Sequence, residues 1–335
     1  MTCKLPDTNL HLGDWSPTPL TPVSLEADGP CIWSKLEFLN PGGSTKDRIA
    51  SHILTKAYRN GTIKPGGTVI EASSGSTSIA MAMVCAQLGL KFIAVMPAGV
   101  SNERSLIIKA YGGEVHTTDA GATMPDCIAE ARRLADERGA FLPAQFENPD
   151  NAEAHRFGTA REIIKQLPAQ HVDAIVAGVG TGGTLVGLYH GMRDHGCAAT
   201  PVLAKPIASS GGTLAPGCFD HAECCSSYSK RIPGVVDNLS CLFQPDDLDG
   251  LETIEVGDDL AIETARQLIR RGFPVGPSSG LNYAAAVTVH QQLQGRGIAS
   301  PTVVTVFCDR MERYFSTELF SPAPPAGHVA SHGSR

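Results

Sequence analysis

Four short segments of the chain carry side chains and turns suited to chemistry. The first is Asn40 to Arg48, which reads NPGGSTKDR. Pro41-Gly42 marks a turn, Ser44 and Asp47 have the spacing of a capping box, and Ile49, Ile53 and Ala57 follow as one apolar stripe. Lys46 then falls in the first turn of a helix. The helix dipole disfavours a cation there, so the amine gives up its proton more readily and becomes a better nucleophile. The plainer alternative is a solvated lysine on a capped helix.

The second segment is Ser73, Ser74, Gly75, Ser76 and Thr77, a run of small residues. Between a strand and a helix, such a run presents N–H groups and hydroxyls to a carboxylate or a phosphate. A simple polar turn would look the same. The third is Gly178 to Thr184, in which Gly180, Thr181, Gly182, Gly183 and Thr184 form a cradle of the same kind. It matches the dinucleotide pattern G-x-G-x-x-G, but that reading requires an acid at the end of the next strand. The next strand, Pro201 to Lys205, ends in Lys205. No Gly-Lys-Ser/Thr follows the glycines, so a P-loop is excluded, and a phosphate site without a dinucleotide remains. The fourth segment is Gly276-Pro277-Ser278-Ser279-Gly280, a turn at a helix start.

The elements that must position these segments recur as strand, small-residue loop and helix. Strands are expected at Thr68–Glu71, Lys91–Met96, Glu114–Thr118, Asp173–Ala177, Pro201–Lys205, Glu252–Val256 and Thr302–Phe307. Helices are expected behind Lys46, with the stripe Ile79, Met83, Ala86 and Leu90, from Ser101 to Gly112-Gly113, and over Met124–Arg138, Thr184–His195, Asp258–Arg271 and Leu281–Leu293. Alternating strands and helices imply an α/β fold with mostly parallel sheets covered on both faces, and ligands at the carboxyl ends of the strands.

Composition bounds the function. Acids outnumber bases, 34 to 27, and the net charge is −7. That argues against a general binder of nucleic acid or anionic membrane. No apolar run is long enough for a membrane helix, and Met1 to Pro19 shows no signal peptide. Ten cysteines without paired spacing fit reduced thiols in the cytoplasm. Cys218, His221, Cys224 and Cys225 crowd together but lack a second distant pair, so they read as loop residues and no metal is expected. His11 and His155 sit in no readable catalytic constellation.

Taken in order, the segments resemble the cysteine synthase / cystathionine β-synthase family, the fold-type II pyridoxal-phosphate enzymes. The resemblance runs from about Pro19 to Phe320 and includes NPGGSTKDRIA, EASSGSTSIAMAM, QFENP, GVGTGGTLVG, GPSSG and ERYFST. It implies a two-lobed fold. The smaller lobe would span 38–145, the larger 1–37 with 146–320, and 321–335 would form a disordered tail. It implies pyridoxal 5'-phosphate as cofactor, carried by Lys46, with the phosphate on Gly180 to Thr184, Ser76 near the cofactor's 3′ oxygen and Ser278 at the pyridine nitrogen. Ser73 to Thr77 and Gln145 would bind the substrate carboxylate. The implied reaction is β-replacement on an activated L-serine through an aminoacrylate, most simply O-acetylserine and sulfide giving cysteine. The implied partners are an amino-acid substrate, a small nucleophile and a second copy in a homodimer. A neutral hydroxyl at Ser278 does not hold the pyridine nitrogen protonated, which suits loss of a β-substituent over transamination.

The sequence departs from the family in places. Ser76 stands where the family has asparagine and Ser78 where it has glycine. Lys205 replaces the glutamate of Val-Glu-Pro, and Gly234-Val235-Val236-Asp237-Asn238 replaces a glycine-rich stretch. A carboxylate at Asp237 would disfavour an anionic nucleophile such as hydrosulfide. Rival readings are β-elimination, β-replacement with an amine or thiol, and an inactive homologue that binds a partner.

Overall fold

The computed structural model describes residues 15–208, 231–235 and 240–320. Two sheets organise them. Strands β3 (Thr68–Ala72), β4 (Lys91–Met96) and β5 (Glu114–Thr117) pair in parallel, in that order. The larger sheet has the order β1-β2-β9-β6-β7-β8. Its strands are β1 (Leu20–Val23), β2 (Ile32–Leu36), β6 (Ala174–Ala177), β7 (Thr200–Ile207), β8 (Glu252–Gly257) and β9 (Val303–Phe307). Only the β1–β2 pair is antiparallel.

Alternation along the strands divides the core, because successive side chains point to opposite faces. In β9, Val303 and Phe307 join Val176 and Val202 on one face, against α8 (Asp258–Arg270) and α9 (Pro277–Gly295). Val304 and Val306 join Ile175, Ala177 and Leu203 on the other, against α6 (Ala160–Gln166) and α7 (Gly183–Asp194). The small sheet is also covered twice. Ile70, Ala72, Ile93 and Val95 meet α4 (Met124–Arg138). Val69, Phe92, Ala94 and Met96 meet α1 (Lys46–Arg59), α2 (Ser76–Leu88) and α3 (Asn102–Ala110). Among the described residues no helix is long and apolar enough to cross a membrane, and Cys31, Cys85, Cys127, Cys197, Cys241 and Cys308 are free thiols.

The fold corrects several expectations. Ala86 is exposed, and α2 is buried nearly all round instead of along one stripe, because α1, α3 and the sheet enclose it. It ends at Leu88, with Gly89 in the left-handed region at φ 65°. Helix α9 begins at Pro277, four residues before the expected Leu281, with Gly276 as its cap; proline's fixed φ and missing N–H suit a first helical position. The capping box expected from Ser44 and Asp47 does not form at α1. Thr45 occupies the cap, Ser44 Oγ accepts the Lys46 N–H at 3.2 Å, and Asp47 folds back onto the Gly42 N–H at 2.6 Å. Strands β1 and β2 were not foreseen. Nor was α5 (Asp150–Ala154), which continues through a π turn at His155–Thr159 into α6. The tail 321–335, His11, and the cluster Cys218, His221, Cys224 and Cys225 lie outside the described residues.

Candidate active site

A cleft of about 990 Å³, partly open to solvent, lies where the carboxyl ends of β3, β6 and β9 converge. It brings together Lys46, Ser73 to Thr77, Gln145, Gly180 to Gly182, Thr184 and Ser278. Gly183 lies one residue behind, as the first residue of α7. The segments singled out in the sequence, which span more than 200 positions, therefore meet in one place.

Lys46 is the first residue of α1. Burial pushes its amine below the ordinary lysine range, while Cys308 and Asp309 pull the other way. These two residues follow the end of β9. The Cys308 thiol is pushed up to about 12, chiefly by burial, so it is protonated at neutral pH. Asp47, buried beneath the same turn, is pushed up to about 7 by burial, against the opposing pull of the Gly42 amide and Arg313.

The serine loop is tied down from within. Ser73 Oγ accepts the N–H groups of Gly75 and Ser78, each at 3.1 Å, and pairs with Ser78 Oγ at 2.6 Å. Ser78 thus gives the loop an internal brace. Gly75 has φ 146°, and a Cβ there would lie 2.3 Å from the Arg104 stem. Arg104 crosses the loop, donates to the Ser74 carbonyl at 2.9 Å and lies over the Tyr314 ring. Ser76 Oγ donates to Asp309 Oδ2 at 3.0 Å, and Tyr314 donates to the same oxygen at 2.7 Å. Thr77 Oγ1 donates to Gln145 Oε1 at 2.7 Å, and Gln145 Nε2 donates to the Ala72 carbonyl at 2.7 Å. The N–H groups of Ser76 and Thr77 open α2 and have no partner one turn back, so they are available to an anion.

The glycine loop opens α7 in the same way. Gly182 has φ 80°, and a Cβ on Gly180 would lie 2.2 Å from the Gly234 carbonyl. A side chain at either position would collide with that packing and shift the loop. Ser278 bonds the Cys308 thiol, and Ser279 Oγ accepts the Cys308 N–H at 3.0 Å. Pro233, Gly234 and Val235 form another wall, whereas Val236, Asp237 and Asn238 lie outside the described residues. Lys205 lies away from the cleft and pairs with Glu255 on β8 at 2.8 Å.

Sequence reasoning missed Arg104, Cys308, Asp309 and Tyr314 as cleft residues. For Cys308 and Asp309 a signal existed: they directly follow an expected strand, at the end where ligands sit. Tyr314 lies in the ERYFST segment, whose place in the cleft was not foreseen, and Arg104 gave no signal, since it reaches the cleft from α3.

An α/β fold with a buried lysine and two anion cradles at its strand ends is the ground plan of a cofactor enzyme. A family model for pyridoxal-phosphate dependent enzymes matches residues 12–309, and the chain belongs to that family. A cysteine synthase of Staphylococcus aureus is 40% identical over 294 residues, covering 87% of this chain and 89% of that one. The crystal structure of O-ureido-L-serine synthase superposes with a TM-score of 0.78 and 31% identity, over 96% of this chain and 98% of that one. An O-acetylserine dependent cystathionine beta-synthase from Helicobacter pylori gives 0.75 and 30%, over 91% and 96%. The cofactor of this family is pyridoxal 5'-phosphate, and the cleft fits it. The glycine loop is packed so closely against Gly234, Phe243 and Asn151 that only glycine fits at 180, 182 and 183, and the N–H groups it brings to the start of α7 suit a phosphate. The buried Lys46 amine lines the same cleft.

Proposed function

We propose that the protein catalyses β-replacement on an activated L-serine, most simply O-acetylserine and sulfide giving cysteine and acetate. The observation that carries this reading is the convergence of Lys46, the serine loop and the glycine loop on one cleft. The activities named for the relatives above agree with it.

Lys46 carries the cofactor by its amine, and the Gly180 to Thr184 cradle holds the phosphate. When bound, pyridoxal 5'-phosphate supplies an electron sink that labilises bonds at the substrate's Cα. The first-turn N–H groups of Ser76 and Thr77, braced through Gln145, bind and orient the substrate carboxylate. Lys46 also moves the Cα proton: burial holds its amine below the ordinary lysine range, which leaves more of it free to accept a proton and return it. Ser278 would meet the pyridine nitrogen as a neutral hydroxyl, and Ser76, whose hydroxyl donates to Asp309, would lie toward the ring's 3′ oxygen. The smaller lobe, 38–145, supplies the lysine and the carboxylate loop, and the larger supplies the phosphate cradle. The protein works in the cytoplasm as a homodimer; the acidic net charge and the free thiols support the cytoplasmic part.

The experiment is product analysis. Holoenzyme is mixed with O-acetylserine and sulfide, and cysteine, acetate, pyruvate and ammonia are measured. Cysteine formed in equal amount to acetate is expected. Pyruvate and ammonia in place of cysteine would establish elimination instead, and no acetate release would refute the reading.

A further inference from the structure

Behind the glycine loop lie two buried side chains to which the reading above gives no work. Asn151 and His155 are both fully buried. They come from α5 and the π turn after it, an irregularity that often accompanies function. The turn lies against α7 at backbone contact. A Cβ on Gly187 would be 2.3 Å from the Ala152 carbonyl, and one on Gly191 would be 2.4 Å from Ala160 Cβ. That closeness lets both side chains reach the phosphate cradle.

Hydrogen-bond direction makes the arrangement informative. Asn151 Nδ2 donates to the Gln145 carbonyl at 2.7 Å and to Thr181 Oγ1 at 2.9 Å. A backbone carbonyl only accepts, so the first bond fixes which side of the amide carries the hydrogens. The Thr181 hydroxyl is therefore an acceptor toward Asn151. Its own proton is left over, and among the described residues it is given to nothing. Thr181 lines the cleft.

His155 repeats the pattern at the other end of the loop. Its Nδ1 meets Thr159 Oγ1 at 2.9 Å and its Nε2 meets Thr184 Oγ1 at 3.2 Å. Burial holds the ring neutral, with a pKa pushed down to about 3, so it carries one N–H. With that hydrogen on Nε2, Thr184 accepts from the ring and its own proton also faces the cleft.

We infer that Asn151 and His155 are positioning residues that fill the rear lone pairs of Thr181 and Thr184, so that both hydroxyls present their protons to the cofactor's phosphate. A phosphate dianion accepts such bonds, whereas a hydroxymethyl group in its place gains much less. This inference rests on the cofactor reading above and assigns the source of its preference for the phosphate ester.

The test compares apo-protein affinities for pyridoxal 5'-phosphate and for pyridoxal, which lacks the phosphate. Wild type should prefer the phosphate ester. Asn151→Ala and Thr181→Val should each weaken the ester about tenfold and leave pyridoxal nearly unchanged. In the double variant the second change should add little, because both remove one interaction. His155→Gln, which retains a donor, should keep more of the preference than His155→Leu. Thermal melts identify any variant that fails to fold, and the Thr181→Val arm, at the surface of the cleft, keeps the question open to measurement in that event. Equal loss of both ligands, or additive losses in the double variant, would overturn the inference while leaving the cofactor reading in place. A wild type that binds both ligands equally would overturn the phosphate assignment as well.

Discussion

Lys46 differs from an ordinary helix-start lysine in its surroundings. It opens α1, faces the cleft, and has the Cys308 thiol and the Asp309 carboxylate as neighbours. Because the Asp309 carboxylate raises the amine, Asp309→Asn should move its titration to lower pH. The rate of acylation of Lys46 in apo-protein, followed against pH by peptide mass spectrometry, measures this; an unchanged midpoint would show that Asp309 does not act on the amine. His155 titrates the other way from a surface histidine. Its folded pKa is held near 3, below the ordinary 6.5. Between those values the unfolded chain binds more protons, so the stabilising contribution is complete above pH 6.5 and is lost as pH falls toward 3. His155→Gln should therefore narrow its stability deficit against wild type between pH 7 and pH 4.5, as read from urea unfolding. Lys46 and both loops were legible in the sequence because each is a short contiguous motif. The meeting of Arg104, Asp309 and Tyr314 was not, because it depends on three separate elements being folded, even though Asp309 follows an expected strand and Tyr314 lies in ERYFST.

Glycine governs how closely the elements approach. In α9, a Cβ on Gly280 would lie 2.1 Å from the Ala261 carbonyl of α8. Gly280→Ala should cost about 1–3 kcal/mol by forcing the two helices apart, visible as a lower urea midpoint. Gly182 acts differently, since it has φ 80° and a Cβ there would lie 2.5 Å from Phe243. Gly182→Asp adds bulk and a like charge at the phosphate cradle. It should lower cofactor affinity by roughly a hundredfold, well beyond its effect on folding, and unchanged cofactor occupancy would count against the cradle. Most strands and helices could be read from periodicity, including β4 and α4, whose bounds matched. The miss over 150–166 has a physical cause. Its π turn breaks the 3.6-residue period, and its buried face includes the polar residues Asn151, His155 and Thr159, so no apolar stripe shows.

Across the whole molecule, α1 is fastened to the large sheet by a buried charge network. Arg48 donates to both oxygens of Glu37, at 2.5 and 2.7 Å, and to Glu162 on α6 at 2.7 Å. Lys35 on β2 pairs with the same Glu162 at 2.7 Å. Glu37 is fully buried, and Arg48 outweighs that burial to hold its carboxyl at about 2. Its contribution is complete above pH 4.5 and is lost as pH falls toward 2. Arg48→Met strands the Glu37 carboxylate, leaves Glu162 with Lys35 alone, and should cost about 3–5 kcal/mol near pH 8. Part should return near pH 4.5, since an unpaired buried Glu37 protonates more easily. Fastened in this way, α1 presents Lys46 to a cleft walled by loops from both sheets, and the account depends on Lys46 carrying the cofactor there. Borohydride reduction of the holoenzyme, followed by peptide mapping, tests that most directly. The account predicts a pyridoxyl group on Lys46, and no such adduct together with no turnover in Lys46→Ala. A pyridoxyl group on any other lysine, or turnover that survives Lys46→Ala, would contradict it.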